Sequence, residues 1–401
     1  MSTNEPRKDV KPPLWGRALA RLVSSAGEGE LVLRFANGAE RTVRAAKSGV
    51  RAVLDVANPR VLRKLVFGGT VGIGESYMDG DWSSPDLAAL LEFGSRNMEK
   101  LAGGMQGLKP LRILYNFRHR TRSNTRENSR RNITAHYDLG NEFYRRWLDE
   151  TMTYSSAYFE RPDMSLAEAQ EAKWRRMAEM LGLKSNMHVL EIGCGWGGFA
   201  MFLAREYGVR VTGLTLSEEQ YAYARMAITR EGLSNAIDIR LQDYRDVEGS
   251  FDRIASIEMF EAVGEEHWPR FFEVVRERLV KGGVAALQII TVANEHFQAY
   301  RKDADFIQLY IFPGGMLPSP AALNDVVTRA NLGFEQVRSF ALSYAETLKR
   351  WRESFDAQWQ EIVPLGFDER FKRMWDYYLA ACEAGFRAGT IDVAQFRVVR
   401  N

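Results

Sequence analysis

The order of apolar and polar positions splits the chain into a mixed first third and a regular remainder. Two short runs, 31–35 (LVLRF) and 40–43 (ERTV), flank Asn37-Gly38. That pairing suits a tight turn matched to strand twist, so a β-hairpin is predicted. Between Pro59 and Phe93, VLRKLVFGG and SPDLAALLEF read as short helices around GIGESYMDGDW, giving a small α+β domain over residues 16–104. From residue 136 the periods become regular, and HYDLGNEFYRRWLD carries a helical stripe of aromatics at 137, 143, 144 and 147. Ser165 with Glu168 is a capping box that opens a helix over SLAEAQEAKWRRMAEML, and Ser217 with Gln220 opens another. Apolar runs at 188–192, 210–214, 237–241, 251–257 and 283–290 alternate with these helices and with one at 268–280. Such alternation predicts an α/β fold, a doubly wound parallel sheet with helices on both faces, over residues 133–401. A helix (321–330), a strand (334–342) and two amphipathic helices (345–361, 368–388) complete it.

The strand at 188–192 runs into glycines at 193, 195, 197 and 198, and a helix follows from Phe199. Glycine permits the left-handed turn and lets a ligand approach the backbone closely. Gly193, Gly195 and Gly198 satisfy the dinucleotide pattern G-x-G-x-x-G, which alone is a weak signal. Glu191 sits two residues before the first glycine, where its charge disfavours a pyrophosphate and favours an amino group. Asp243 and Tyr244 follow the third strand and offer an acceptor and a ring face for adenine, while Thr215 and Gln220 flank the second strand's tip within reach of ribose hydroxyls. Together they describe S-adenosylmethionine better than a dinucleotide.

Composition narrows the setting. Lys and Arg total 54 against 52 Asp and Glu, a formal charge of +2, so no global field draws nucleic acid and any anionic partner must meet a local patch. One patch stands out: over residues 105–132 lie Lys109, Arg112, Arg118, Arg120, Arg122, Arg126, Arg130 and Arg131, opposed by Glu127. It reads as a basic linker, or as a surface for anionic headgroups where each basic residue contributes about 1 kcal/mol; nucleic acid is a weaker third reading. Residues 1–15, with prolines at 6, 12 and 13, read as a disordered leader. Two cysteines, Cys194 and Cys382, make no disulfide framework, no metal site is expected, and the longest uncharged apolar stretch is too short for a bilayer span. A cytoplasmic protein associated peripherally with the inner face of the cell membrane is expected.

With these residues in view, the chain resembles the cyclopropane-fatty-acyl-phospholipid synthase family, including the mycolic acid cyclopropane synthases. The motifs that carry the resemblance are GESYMDGDW, HYDLGN, TYSSAY, VLEIGCGWGG, GLTLSEEQ, LQDYRD, DRIASIEMFEAVG, IFPGGMLPS and YYLAACEAGFRAG, in that order over most of the chain. The resemblance implies a class I methyltransferase (Rossmann-like) domain that transfers a methyl group to the cis double bond of an acyl chain on a membrane phospholipid, forming a cyclopropane. By motif position it implies cofactor contacts from Tyr154 and Ser155; from Val189, Leu190, Glu191, Ile192 and Gly193; and from Cys194, Gly195, Trp196 and Gly197. It adds Thr215, Leu216, Ser217, Glu218, Glu219 and Gln220, then Tyr244 with Arg245 beside Asp243. The bilayer is the implied partner, with a homodimer expected and no nucleic acid; the N-terminal domain docks on the membrane or dimerises.

An alkene is a poor nucleophile, so the donor methyl must be held in line with the π bond in a dry pocket. Aromatic faces then stabilise the cation without trapping it. Tyr137, Phe143, Tyr154, Tyr158, Phe260, Phe312 and Tyr344 are candidates, each with core packing as its ordinary role; His136 is read as orienting the headgroup region or as structural. A base must finally remove a proton. In the family that base is a bicarbonate ion held by a cysteine, a glutamate, a histidine, an isoleucine backbone and a tyrosine. The matching positions here are Ser156, Glu261, Gln288, Ile290 and Tyr344, with Ala262 where histidine is usual. Glutamine carries no positive charge, so an anion beside Glu261 loses its counter-charge, and Ser156 and Gln288 count against bicarbonate. A cyclopropane by weakly bound bicarbonate, proton removal by Glu261 itself or from a neighbouring carbon to give a methyl- or methylene-branched chain, and methylation of a modified or conjugated chain of the furan fatty acid type all stay open. So does a non-catalytic lipid-binding relative. Cys382 matches a late cysteine once proposed as a nucleophile, a role that methyl transfer does not require.

Overall fold

The computed structural model describes residues 10–105 and 139–401, which form two units. Described residues 10–105 with Gly366–Ala388 make the first; described residues 139–365 with Gly389–Asn401 make the second. The basic run, most of the leader, His136 and Tyr137 lie outside the described residues.

The expected hairpin is present: β1 (Glu28–Phe35) pairs antiparallel with β2 (Glu40–Arg44) around Gly38, whose φ is +82°. Within this first unit two strands escaped the sequence reading, β3 (Lys47–Val56), parallel to β1, and the short β4 (Trp82–Ser83). Much of GIGESYMDGDW, expected to separate short helices, continues a kinked helix, Arg60–Met78, that bends at Gly69 (φ +59°, ψ −140°). Part of the leader, too, is helical, in Leu14–Val23. The helix Glu369–Ala388 belongs to this first unit, which corrects the expected 133–401 domain: Tyr77 Oη donates to Asp376 at 2.6 Å, and Arg373 lies 4.0 Å over the Tyr77 ring.

In the second unit β5 (His188–Ile192), β6 (Arg210–Thr215), β7 (Ile237–Leu241), β8 (Phe251–Ile257) and β9 (Leu279–Val292) run parallel, and β10 (Gly333–Ser339) and β11 (Ile391–Val399) close one side antiparallel. The order is β10-β11-β9-β8-β5-β6-β7. Side chains alternate between two apolar layers, Leu190 and Ile254 on one face and Val189 and Val211 on the other, as expected for a sheet covered by helices on both sides. The chain moves outward from β5 through β6 to β7, then returns to place β8 on β5's other edge. Ligands bind at such a reversal, outside the strands' carboxyl ends. The helix Leu166–Leu181 begins with the full capping box at Ser165 and Glu168 and ends at Gly182 in the left-handed region.

Candidate functional site

The turn after β5 has φ of +83° at Gly193, +52° at Gly195 and +88° at Gly197. Both Gly193 and Cys194 donate backbone N–H groups to the Leu214 carbonyl, which ties the turn to β6. A side chain at Gly193 would place Cβ 2.7 Å from Met259 Cγ, whereas Gly195 has nothing within 4 Å and faces open space. Gly193→Val is therefore expected to destabilise the chain by about 3 kcal/mol, from left-handed strain and overpacking. An unchanged urea midpoint would contradict this.

A cavity of about 150 Å³ opens there. Of the expected cofactor residues, Tyr154, Ser155, Glu191, Ile192, Gly193 and Cys194 line it, followed by Gly195, Trp196, Thr215, Leu216, Gln220 and Tyr244. Thr215 Oγ1 donates to Gln220 Oε1 (2.9 Å), and Ser217 caps the next helix by accepting from the Gln220 N–H (3.2 Å). The Glu191 carboxyl is buried, its Oε2 has no hydrogen-bond partner, and burial pushes its pKa up to about 8 against the pull of Lys173. An orphaned carboxylate oxygen beside an open glycine turn fits the ammonium end of S-adenosylmethionine. Asn141, the last residue of HYDLGN, accepts from Trp196 Nε1 at 2.6 Å and donates to Glu219 Oε2 at 2.8 Å, so Glu219 braces the turn from behind.

Other expected contacts fall elsewhere. Both Asp243 carboxylate oxygens are taken by Arg245, at 2.9 and 2.6 Å, and neither residue lines the cavity; Gln242, which the sequence reading passed over, does. Val189 and Leu190 are fully buried inside the sheet, and Gly197 packs on Ala224, where an added Cβ would lie at 3.2 Å. Glu218 opens the helix that Ser217 caps. Phe143 and Phe260 are core residues: Phe143 stacks edge-on with Tyr144 and Trp147, Phe260 among Trp268, Phe271 and Phe272. Tyr158 packs against Phe340, and the Phe312 carbonyl accepts from Gly315 N–H. Cys382 sits on Glu369–Ala388 of the first unit and does not line the cavity.

The residues matched to the family's bicarbonate site do converge in part, but on a side chain. Glu258, at the tip of β8 with φ +50°, accepts from Ser156 N–H (2.9 Å) and Gln288 Nε2 (2.8 Å) at Oε1, and from Tyr344 Oη (2.5 Å) at Oε2. Gln395 Nε2 donates to Gln288 Oε1 at 3.1 Å, which fixes the amide so that Gln288 donates forward. The Ser156 hydroxyl turns away to the Ala157 carbonyl (2.9 Å). Glu261 stands apart from these donors: its Oε1 accepts from Ile290 N–H (2.5 Å), its buried Oε2 has no partner, and burial, then the Glu258 charge, pushes its pKa up to about 8. Ser156 and Gln288 already count against a free anion, and three of the five matched positions, Ser156, Gln288 and Tyr344, donate instead to a carboxylate of the chain.

Lys173 was also missed. Fully buried on the helix Leu166–Leu181, it donates to Ser155 Oγ (2.7 Å) and Gln170 Oε1 (2.5 Å). Burial pushes its pKa down to about 7, while Glu258, Asp149 and Glu191 pull upward. The signal was a lysine on the apolar stripe with Ala169, Met177 and Leu181; for Glu258 it was an acid at a strand tip.

The sequence model described as mycolic acid cyclopropane synthetase matches residues 124–396. The chain is 42% identical over 342 residues to tuberculostearic acid methyltransferase UfaA1 of Mycobacterium tuberculosis, covering 83% of this chain and 79% of that protein. It is 38% identical over 352 residues to cyclopropane-fatty-acyl-phospholipid synthase of Escherichia coli, covering 86% and 87%. Among solved structures, mycolic acid cyclopropane synthase CmaA1 complexed with SAH and CTAB superimposes with a TM-score of 0.63 at 35% identity, over 67% of this chain and 98% of that one.

Proposed function

Since the chain belongs to the mycolic acid cyclopropane synthetase family and is an S-adenosylmethionine-dependent methyltransferase acting on lipid acyl chains, we propose that its acceptor is the cis double bond of an unsaturated acyl chain on a membrane phospholipid, and its product a cyclopropane. The cofactor supplies an electrophilic methyl group on a sulfonium. Glu191 and the glycine turn hold its amino-acid end, and Thr215 with Gln220 its ribose. The observation that carries the reading is that one cavity is lined both by the glycine turn with Glu191 and by Met152, Tyr154, Ile257 and Met259: the donor site shares its space with apolar side chains against which an alkene can be held in line.

A second reading, a methyl- or methylene-branched product, is supported by the identity to a tuberculostearic acid methyltransferase, which exceeds that to the Escherichia coli cyclopropane synthase. Anionic headgroups, a homodimer and peripheral attachment at the inner face of the cell membrane belong to the same proposal; no helix among the described residues is long and apolar enough to cross a bilayer.

Methyl-deuterated S-adenosylmethionine and cis-unsaturated phosphatidylglycerol vesicles test it, with mass spectrometry of the released acyl chains before and after ozonolysis. Ring closure leaves two deuterons and a chain that ozone does not cleave. Two deuterons on a cleavable chain identify a methylene branch, and three deuterons place proton loss on the chain. Absence of label from every cis-unsaturated chain would overturn the proposal.

A further inference from the structure

We propose that Glu258 is the proton acceptor of the reaction, a carboxylate built into the chain where the family recruits a free bicarbonate ion, so that this enzyme works without bicarbonate. The inference rests on the methyltransferase reading above.

Ser156 N–H, Gln288 Nε2 and Tyr344 Oη, three groups at positions matched to the bicarbonate site, all donate to the two oxygens of Glu258 at 2.5–2.9 Å. A carboxylate offers about four acceptor sites, so three donors hold it rigidly and leave one lone pair free to take a proton. Glu258 lines the cofactor cavity, and Glu261 does not. A small anion cannot use the same donors while the side chain is there.

The altered residues follow from this. A free anion must be drawn from water by charge, which a histidine provides; a tethered carboxylate needs only a neutral donor, and Gln288, oriented by Gln395, is one. Lys173, fully buried, donates to Ser155 Oγ and Gln170 Oε1, and its ammonium and the Glu258 carboxylate favour each other's charged form.

The step balances. After the methyl group has joined one alkene carbon, the other carbon is cationic. A C–H bond breaks, its electron pair closes the three-membered ring or forms a new double bond, and the proton goes to a Glu258 carboxylate oxygen. Water later removes that proton and restores the anion.

Three arms test this with the full-length chain. Wild-type turnover is measured as S-adenosylhomocysteine released on cis-unsaturated vesicles in degassed, bicarbonate-free buffer and with 50 mM bicarbonate added; rates within about twofold are expected. Glu258→Gly, tolerated by the backbone because φ is already +50°, opens the anion site. Its turnover is expected to fall at least ~100-fold without bicarbonate and to recover at least ~10-fold with it. Carbon-13 NMR of labelled bicarbonate then reads binding directly: broadening with Glu258→Gly and none with wild type. Wild-type turnover that collapses more than ~10-fold without bicarbonate, or bicarbonate broadened by wild type, overturns the inference and leaves the methyltransferase reading intact. A wild type that binds S-adenosylmethionine and methylates nothing in either buffer overturns both. Glu258→Gln controls for folding: it keeps cofactor affinity while losing turnover, and activity close to wild type in this variant also overturns the inference.

Discussion

Glu258→Gln is expected to lower kcat by about two to four orders of magnitude, the range in which a positioned base contributes, with cofactor affinity changed less than about threefold. Glutamine fills the same volume and keeps an oxygen for Ser156 N–H or Tyr344, so the β8 tip stays in place. What disappears is the basic lone pair. Burial raises the Glu258 pKa, while Tyr344, Lys173, Gln288 and Ser156 each pull it back toward the ionised form. The glutamine variant has no such group to titrate, so its residual rate should lack the rise with pH that the wild-type rate shows as Glu258 ionises. A variant within about threefold of the wild-type kcat would remove Glu258 from the chemistry.

The second large effect concerns Glu191. Its pKa of about 8 in the unliganded protein means that it holds a proton at pH 7. The ammonium of S-adenosylmethionine favours the carboxylate, so binding below pH 8 must expel that proton. Affinity should rise about tenfold per pH unit between roughly pH 6 and 8, then level off. Glu191→Gln should flatten this dependence and weaken binding at pH 8 by about 10- to 100-fold, the loss of one charge-assisted hydrogen bond. Calorimetric titrations across pH, in buffers of different ionisation enthalpy, read both the affinity and the proton release; a pH-independent wild-type affinity would contradict the assignment. Stability without ligand moves the other way. A carboxyl whose folded pKa is raised contributes stability that is present below its unfolded pKa of 4.5 and lost as pH rises through about 8, which applies to Glu191 and Glu261 alike. Lys173, lowered from 10.5 to about 7, gains stability as pH climbs across that interval.

How much of this was readable in the sequence depends on distance along the chain. Local chemistry was legible: Ser165 with Glu168 and Asn37 with Gly38 each settle their geometry within a few residues, and the glycine turn announced a ligand site. Long-range closure was not. The helix Glu369–Ala388 leaves the second unit's sequence to pack in the first, where Asp376 meets Tyr77 across 299 residues, and no periodicity encodes that choice. β11 was missed because its partner, β9, lies about a hundred residues earlier and both are buried on two faces, which erases the alternation that marks a strand. At the site, motif positions named the donors and not what they donate to. Ser156, Gln288 and Tyr344 looked like a weakened anion site while Glu258 was read as the end of a strand. Asp243 reads as an adenine ligand in the sequence, which does not show that Arg245 donates to both its oxygens.

The measurement closest to the central claim is the stoichiometry of S-adenosylhomocysteine release on two sets of vesicles, identical in headgroup, one with cis-unsaturated and one with fully saturated acyl chains. One S-adenosylhomocysteine per modified acyl chain is expected on the unsaturated vesicles and none above background on the saturated ones. Equal release on both, or release on neither from a protein that binds S-adenosylmethionine, would contradict it.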